Sequence, residues 1–413
     1  MQPETTPVPT APKSLLRERN FVALICAQLV SNVGDFMNSL TLIWMMNLLT
    51  EGNPFWLAMV AVAQLLPKIV FGSISGVLVD RWNSLRTMRM SDLISGGLVA
   101  VLAGLAFTEQ LSPALLIVLT LLISSATIFF TPSKQVLLTG IVKGEQLMTA
   151  NSYSQTVQTI CMLGGPVLAG VLIGLFGPYI VFMLDAASFF LSFVFLLFIR
   201  FHEEKKPAEK LDRKQFAKEF GEGVRVIKEI RILRAVIPMA LLLNFLFAPL
   251  SLFLTKLITD VYRGGAQELG YLEAAVGAGM LIGSLLVGLL SKKFSKSAIF
   301  FFGLFGTGIG MLGLSLSTAV WLGALMLFVV GATNICTNIT FSTLVQQAVP
   351  REKLGRVFGL LTTGLMAGQP LSNVIFGLVL GFFMIGQLMI AISILILVVT
   401  ILMVLSKPFP KDL

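Results

Sequence analysis

Gln28, Ser31, Asn32, Asp35, Asn38 and Ser39 recur at spacings of three, four and seven within Asn20 to Leu49, a segment otherwise mostly apolar. On a helix of 3.6 residues per turn those spacings stack side chains along one face. An ionisable group in the middle of a membrane-spanning helix costs roughly 2.5 to 3.5 kcal/mol, so it marks a functional site by default. Asp35 lies roughly 22 Å in from the inner end of this segment at 1.5 Å per residue. A carboxylate at that depth, on a polar strip, can take up and release a proton in a water-accessible pathway. Lys68 lies roughly 18 Å from Asp80 along the next segment, at a depth similar to that of Asp35, with Gln64 near its own face. Asp35 and Lys68 are therefore the expected proton-coupling pair, with a permanently paired structural bridge as the alternative.

The elements that hold these residues follow from composition. A chain of 413 residues that is 56% hydrophobic and 12% charged cannot hide its apolar surface in a soluble core. The expectation is an all-α integral membrane protein, with apolar stretches of about 20 residues that each cross a ~30 Å hydrocarbon layer. Twelve such spans are predicted: 20–49, 55–79, 88–108, 113–133, 150–175, 179–200, 235–259, 268–290, 298–317, 319–345, 356–383 and 385–405. They divide the chain into an N-terminal tail (1–19), a six-helix bundle (20–200), a charged linker (201–234), a second six-helix bundle (235–405) and a short tail (406–413). In the linker, Phe216, Phe220, Val224 and Ile227 recur at helical spacing, which predicts an amphipathic helix on the inner membrane surface.

Lys and Arg favour the cytoplasmic side of short loops. With the N-terminus inside, the inner segments carry Lys13, Arg17, Arg19, Arg81, Arg86, Arg89, Lys143, Lys292, Lys293, Lys296, Arg351, Lys353, Arg356, Lys407 and Lys411, while the outer loops carry little beyond Arg263. Both ends are then cytoplasmic and the even span count has independent support. The net charge of +9 reads as topology facing anionic headgroups, not as a nucleic-acid surface. Cys26, Cys161 and Cys336 each fall in a span, and the only histidine, His202, stands in the charged linker, so neither a disulfide nor a metal or other cofactor is expected. No GxxxxGK[ST] loop is present, and no nucleophile, base and orienting group can be placed together. The sequence therefore reads neither as an enzyme nor as a nucleotide-driven pump. No cleavable signal peptide is expected, because the first twenty residues are Pro- and Thr-rich and then basic, and the apolar run after them is too long.

Other candidates follow from position. Asn244 in the seventh span and Asn334 and Asn338 in the tenth are expected to join Gln28, Asn32, Ser39 and Gln64 around a substrate cavity. Trp44, Met45, Met46 and Phe341 could touch a greasy substrate. Lys256, Asp260 and Glu273 gather where span seven ends and span eight begins, as an outer gate or as interfacial charges that snorkel to water. Asp185 lies nearer the outer end of span six and reads as structural. A weak repeat relates the halves: Val142, Glu145 and Leu147 recur as Val349, Glu352 and Leu354, and Pro166 and Pro370 fall in matching helices.

The turn after span two reads Gly76-Val77-Leu78-Val79-Asp80-Arg81-Trp82-Asn83-Ser84-Leu85-Arg86. It resembles the signature of the major facilitator superfamily, whose spans form two six-helix bundles. Asn83 stands where the family carries glycine and can tolerate a left-handed turn, while Ser84 and Leu85 replace the usual basic pair. The resemblance implies a cytoplasmic gate built from Gly76, Asp80, Arg81 and Arg356, with Arg356 paired to Asp80 across the halves and Arg86 and Arg89 standing in for the basic pair from one turn further on; Asp92 and Lys134 join this region by their depth near the inner ends, and a charge cluster needed only for insertion is the alternative. In span five, Gly164-Gly165-Pro166-Val167-Leu168-Ala169-Gly170 resembles the core of the signature found in the superfamily's exporters, although Ser152 and Cys161 replace upstream glycines. It marks Gly165, Pro166 and Gly170 as a hinge or seal. GVLVDR, Thr131-Pro132, Asn151-Ser152-Tyr153-Ser154-Gln155, Leu184-Asp185-Ala186-Ala187-Ser188-Phe189 and Leu354-Gly355-Arg356-Val357-Phe358 resemble the macrolide-efflux-like branch of drug:proton antiporters over nearly the whole chain.

That resemblance implies a monomeric secondary transporter in a bacterial inner membrane, with a small amphipathic substrate, protons and the lipid bilayer as its partners. Lysophospholipid or siderophore transport on the same fold is one alternative. A non-transporting receptor or assembly factor that reuses the scaffold is another.

Overall fold

The computed structural model describes residues 15–142, 144–201, 221, 225–350 and 353–405. Twelve long helices run through it: α1 (Arg19–Leu49), α2 (Pro54–Arg81), α3 (Ser84–Phe107), α4 (Pro113–Ile141), α5 (Leu147–Phe176), α6 (Pro178–Leu197), α7 (Ile232–Tyr262), α8 (Ala266–Leu290), α9 (Lys296–Leu316), α10 (Val320–Ala348), α11 (Leu354–Val379) and α12 (Ile385–Leu405). Among the described residues eleven candidate spans are long and apolar enough to cross a membrane, and α11, at 26 residues, takes the remaining place. The charged linker and the termini fall largely outside the described residues, including Lys143, His202, Phe216, Phe220, Val224, Arg351, Lys407 and Lys411. Within the linker, residues 225–229 are helical, with Arg225 bridged to Glu229 at 2.8 Å.

Local chemistry sets the helix ends. α3 begins four residues before its apolar run because the Asn83 side chain accepts a hydrogen bond from the Arg86 amide at 2.8 Å and caps it. Asn83 has φ −76°, so the left-handed turn expected there is not used. α4 runs eight residues past its expected end and breaks into Pro113–Thr127 and Phe130–Ile141. Pro132 explains the break, since it has no amide for the Ile128 carbonyl and its ring crowds that oxygen. α7 breaks likewise before Leu250, where Pro249 leaves the Phe245 carbonyl without its helical partner. Ser372 of α11 donates to that carbonyl instead.

The two bundles meet on one face of the molecule. On the face opposite the start of α1, α5 packs against α8 and α2 against α11. Gly170 lies against Ala266 and Gln267, Gly270 against Pro166, and Gly377 against Ala58 and Pro54. A side chain at any of these glycines would collide with the other half's backbone or Cβ, so their absence lets the bundles close there. Toward the other face, Gly72, Gly288 and Gly359 have no neighbour within 4 Å of where a Cβ would stand, and Met148, Ile160, Leu285 and Leu289 are exposed. Among the described residues the glycine contacts between the two halves thus lie on the face opposite the start of α1, and none of them lies on the face where α1 begins. A separate core of Phe21, Leu24, Leu85, Met88, Leu137 and Leu196 holds that end of the first bundle together.

Candidate functional site

Asp35 opens onto a cavity of about 650 Å³ walled by the first bundle and touched by Met366 of α11. α1 contributes Ser31, Asn32, Asp35, Asn38 and Ser39, and α2 contributes Gln64 and Lys68. The polar strip thus faces an internal space and not lipid. Asp35 is half-buried and Lys68 is exposed to the cavity. The expected contact between them is absent: among the described residues the ion pairs closer than 4 Å are Arg225–Glu229 and Lys256–Asp260. A cavity of this size holds water, which can solvate each charge separately, so direct pairing is not required.

Two further charges line the same cavity. Asp92 of α3, expected at the cytoplasmic gate, is instead a cavity residue with 1% exposure. Its Oδ2 accepts a 2.6 Å hydrogen bond from Ser192 of α6, while Oδ1 has no protein partner. The reason is register: Ser91, Asp92 and Ser95 fall on the buried face of α3, which packs on α6 and α4. Lys134 of α4 donates to Ser154 Oγ at 3.2 Å. Sequence reasoning put it beside the gate and passed over the strip that carries it, Thr120, Ser124, Thr127, Thr131 and Lys134, at spacings of three and four like those of α1.

Gln28 does not line the cavity. It is 1% exposed and stitched to α5, donating to the Ser154 carbonyl at 2.9 Å and accepting from Ser154 Oγ at 2.5 Å. One turn too close to the helix start, it reaches the α1–α5 seam before the cavity widens. Asp185 is fully buried beside Gly34 and Ser188 and does not line the cavity.

The asparagines form a second hollow of about 290 Å³ in the other bundle. Asn244 of α7 and Asn334 and Asn338 of α10 line it with Phe247, Phe300, Phe341 and Phe358. Asn338 donates to Asn334 Oδ1 at 2.8 Å, and Gln369 donates to Asn244 Oδ1 at 3.2 Å. Among the described residues no charged side chain lines this hollow. The expected single ring of polar residues is thus two surfaces, a charged one in the first bundle and a neutral, aromatic one in the second.

On the closed face, Lys256 pairs with Asp260 at 2.8 Å and donates to the Gly52 carbonyl at 3.3 Å, which ties α7 to the turn after α1. Glu273 stands apart from this pair and accepts from Ser251 at 3.0 Å. Of the hinge residues, Gly165 lies against Phe36 of α1, while Pro166 and Gly170 meet α8 of the other bundle.

Toward the face where α1 begins, Gly76 and the side chains of Asp80, Arg81 and Arg356 fall outside what is described, and the expected Asp80–Arg356 latch with them. Arg86 is exposed and lines a separate hollow with Trp82 and Phe129. Arg89 donates to the Leu196 carbonyl at 2.8 and 3.3 Å and to the Ile199 carbonyl at 3.5 Å, and so caps the end of α6. Arg89→Ala should leave these carbonyls without that cap and destabilise the first bundle by about 1 to 3 kcal/mol. Thermal unfolding of the purified protein checks this, with a lowered midpoint as the expected result.

Residues 10–412 match the family described as transmembrane secretion effectors. Macrolide efflux protein A of Streptococcus pyogenes is 26% identical over 86% of this chain and 88% of its own length. The multidrug efflux pump Tap of Mycolicibacterium fortuitum is 24% identical over 86% and 87%. Among solved structures, the nucleoside transporter NupG superposes with a TM-score of 0.74 at 14% identity, over 94% of this chain and 99% of that one.

Proposed function

Because the chain belongs to the transmembrane secretion effector family of major facilitator transporters, we propose that it exports small amphipathic compounds by proton-coupled alternating access. The fold is that of a transporter and not of an enzyme. Its multiple spans place it in a membrane; we read this as a bacterial cytoplasmic membrane, with both ends on the cytoplasmic side as the distribution of Lys and Arg favours. The protein acts as a monomer with no cofactor. Macrolides and other drugs enter as candidate substrates through the names of those relatives alone.

The observation that carries this reading is the half-buried carboxyl of Asp35 on a cavity between α1, α2, α3 and α4, in a molecule closed on the opposite face. A charge held there at a cost of a few kcal/mol has to be repaid by function. Substrate reaches the cavity from the cytoplasmic side and displaces a proton from Asp35. The bundles then rock, so that the seam of α5 on α8 and α2 on α11 opens and the cytoplasmic ends close. The outer tie between Lys256 and Gly52 breaks in that step. Asp80, Arg81, Arg86 and Arg356 supply the cytoplasmic latch of the alternate state.

The test uses inverted membrane vesicles with an acid interior, so that protons leave as substrate enters. The expected result is accumulation of a fluorescent amphipathic dye, abolished by an uncoupler and competed by substrate. A susceptibility panel in a host lacking its own exporters gives the spectrum. Accumulation that persists without the gradient would overturn the coupling.

A further inference from the structure

We propose that the substrate of this cavity is a zwitterionic amphipath, whose amine meets Asp35 and whose carboxylate or phosphate is held by Lys68 and Lys134. The inference rests on the export reading above and narrows its substrate class.

Four charges line the cavity in two tiers. At 1.5 Å per residue, Lys134 and Asp92 lie about 10 and 12 Å from the ends of their helices on the face where α1 begins, and Lys68 and Asp35 lie about 20 and 24 Å in. Each tier holds one acid and one base, and in neither do the two form an ion pair within 4 Å among the described residues. Charges of opposite sign that share a cavity without cancelling one another leave both signs open to a ligand. They are not equally reachable. Asp92 is buried against Ser192, whereas Lys68 is exposed, Lys134 is half-buried and donates to the Ser154 hydroxyl, and Asp35 is half-buried. The reachable set is one carboxylate and two ammonium groups.

That set selects by repulsion as well as attraction. A simple cation drawn to Asp35 meets two ammonium groups that line the same cavity. A simple anion suits the lysines but is repelled by Asp35, and it has no positive group with which to displace the proton that drives export. A ligand with both charges satisfies every reachable group, and its amine exchanges against the proton. The hollow in the second bundle is lined by asparagines and phenylalanines, with no charge among the described residues, which suits the neutral aromatic body of such a ligand.

Ciprofloxacin, which carries an ammonium and a carboxylate on a flat aromatic body, is the probe. Its methyl ester keeps only the cation, and its N-acetyl derivative keeps only the anion. Binding to the purified full-length protein is read by the fluorescence of the ligand, and transport in inverted vesicles. The expected result is that the parent binds about tenfold or more tighter than either derivative, a difference of about 1.4 kcal/mol. Lys68→Gln with Lys134→Gln should reverse the order of parent and ester, because the cation loses its repulsion while the carboxylate loses its partners. Lys68→Arg with Lys134→Arg should keep the parent's advantage and shows that the double variant's loss is one of charge, not of folding. Equal binding of parent and ester by the native protein would overturn the inference, as would a Lys→Gln double variant that keeps the native ratio. If the vesicles export the ester or erythromycin with no preference for the zwitterion, export stands and this inference falls. If they move none of these compounds or the dye, the export reading fails and takes this inference with it.

Discussion

Asp35→Asn should reduce proton-driven accumulation in inverted vesicles to the level of vesicles without the protein, and should remove substrate-triggered proton release from the purified transporter. The same change should leave the protein as stable as the native form or more so. Asparagine has nearly the shape of aspartate and keeps its polar contacts with the cavity, but it carries no charge to desolvate, and that charge costs roughly 2.5 to 3.5 kcal/mol at mid-helix on the lenient scale. Among the described residues no ion pair is broken, because Asp35 has no base within 4 Å. Loss of transport with an unchanged or raised unfolding midpoint therefore separates a proton carrier from a structural acid, which would lower both. The variant should still bind a neutral competitor in the cavity, since its walls are untouched. Unchanged drug resistance and unchanged vesicle transport in Asp35→Asn would sink the coupling mechanism and favour a uniporter or a receptor on this scaffold.

The span pattern was readable because hydropathy and length alone decide which segments cross a bilayer, and every expected span corresponds to a helix. The ends were less readable, because they depend on individual side chains: Asn83 starts α3 early by capping it, and Pro132 splits α4 while the helix continues beyond it. The strip on α1 stood out because one face of a helix is a local property. The strip on α4 has the same spacing, yet threonine and serine are common in membrane helices and satisfy themselves on the preceding turn, as Thr120 does on Leu116 at 2.8 Å. Only the cavity distinguishes those turned inward. Depth along a helix is a one-dimensional coordinate, and rotation about the axis decides the rest. Asp92 and Lys134, expected near the inner ends of their spans, therefore turn out to line the cavity, and Gln28, on the same face as Asp35, lies one turn outside it. That Asp35 and Lys68 share a space without touching depends on the distance between two helices, which no pattern within either one encodes.

The seam between α5 and α8 carries the second large effect. At Gly170 an added Cβ would stand 2.6 Å from the Ala266 carbonyl oxygen and 3.0 Å from the Gln267 Cα, both backbone atoms that cannot swing aside. Gly174, one turn further on, would place its Cβ no nearer than 4.0 Å from the tip of the Gln267 side chain. Gly170→Val should therefore hold the closed face apart, whereas Gly174→Ala should behave as the native protein. Overpacking of this kind costs about 1 to 3 kcal/mol, and a penalty confined to one of two states moves their balance by roughly 5- to 150-fold. Spin labels at Glu109 and Thr318, exposed residues in the turns after α3 and α9, measure the separation of the two bundles on that face. The expected result is a distribution shifted to longer distances in Gly170→Val, together with slower export, because a transporter that cannot reseal one face completes fewer cycles. An unshifted distribution would mean that α5 does not close against α8 during the cycle, and the rocking of the bundles would need another pivot.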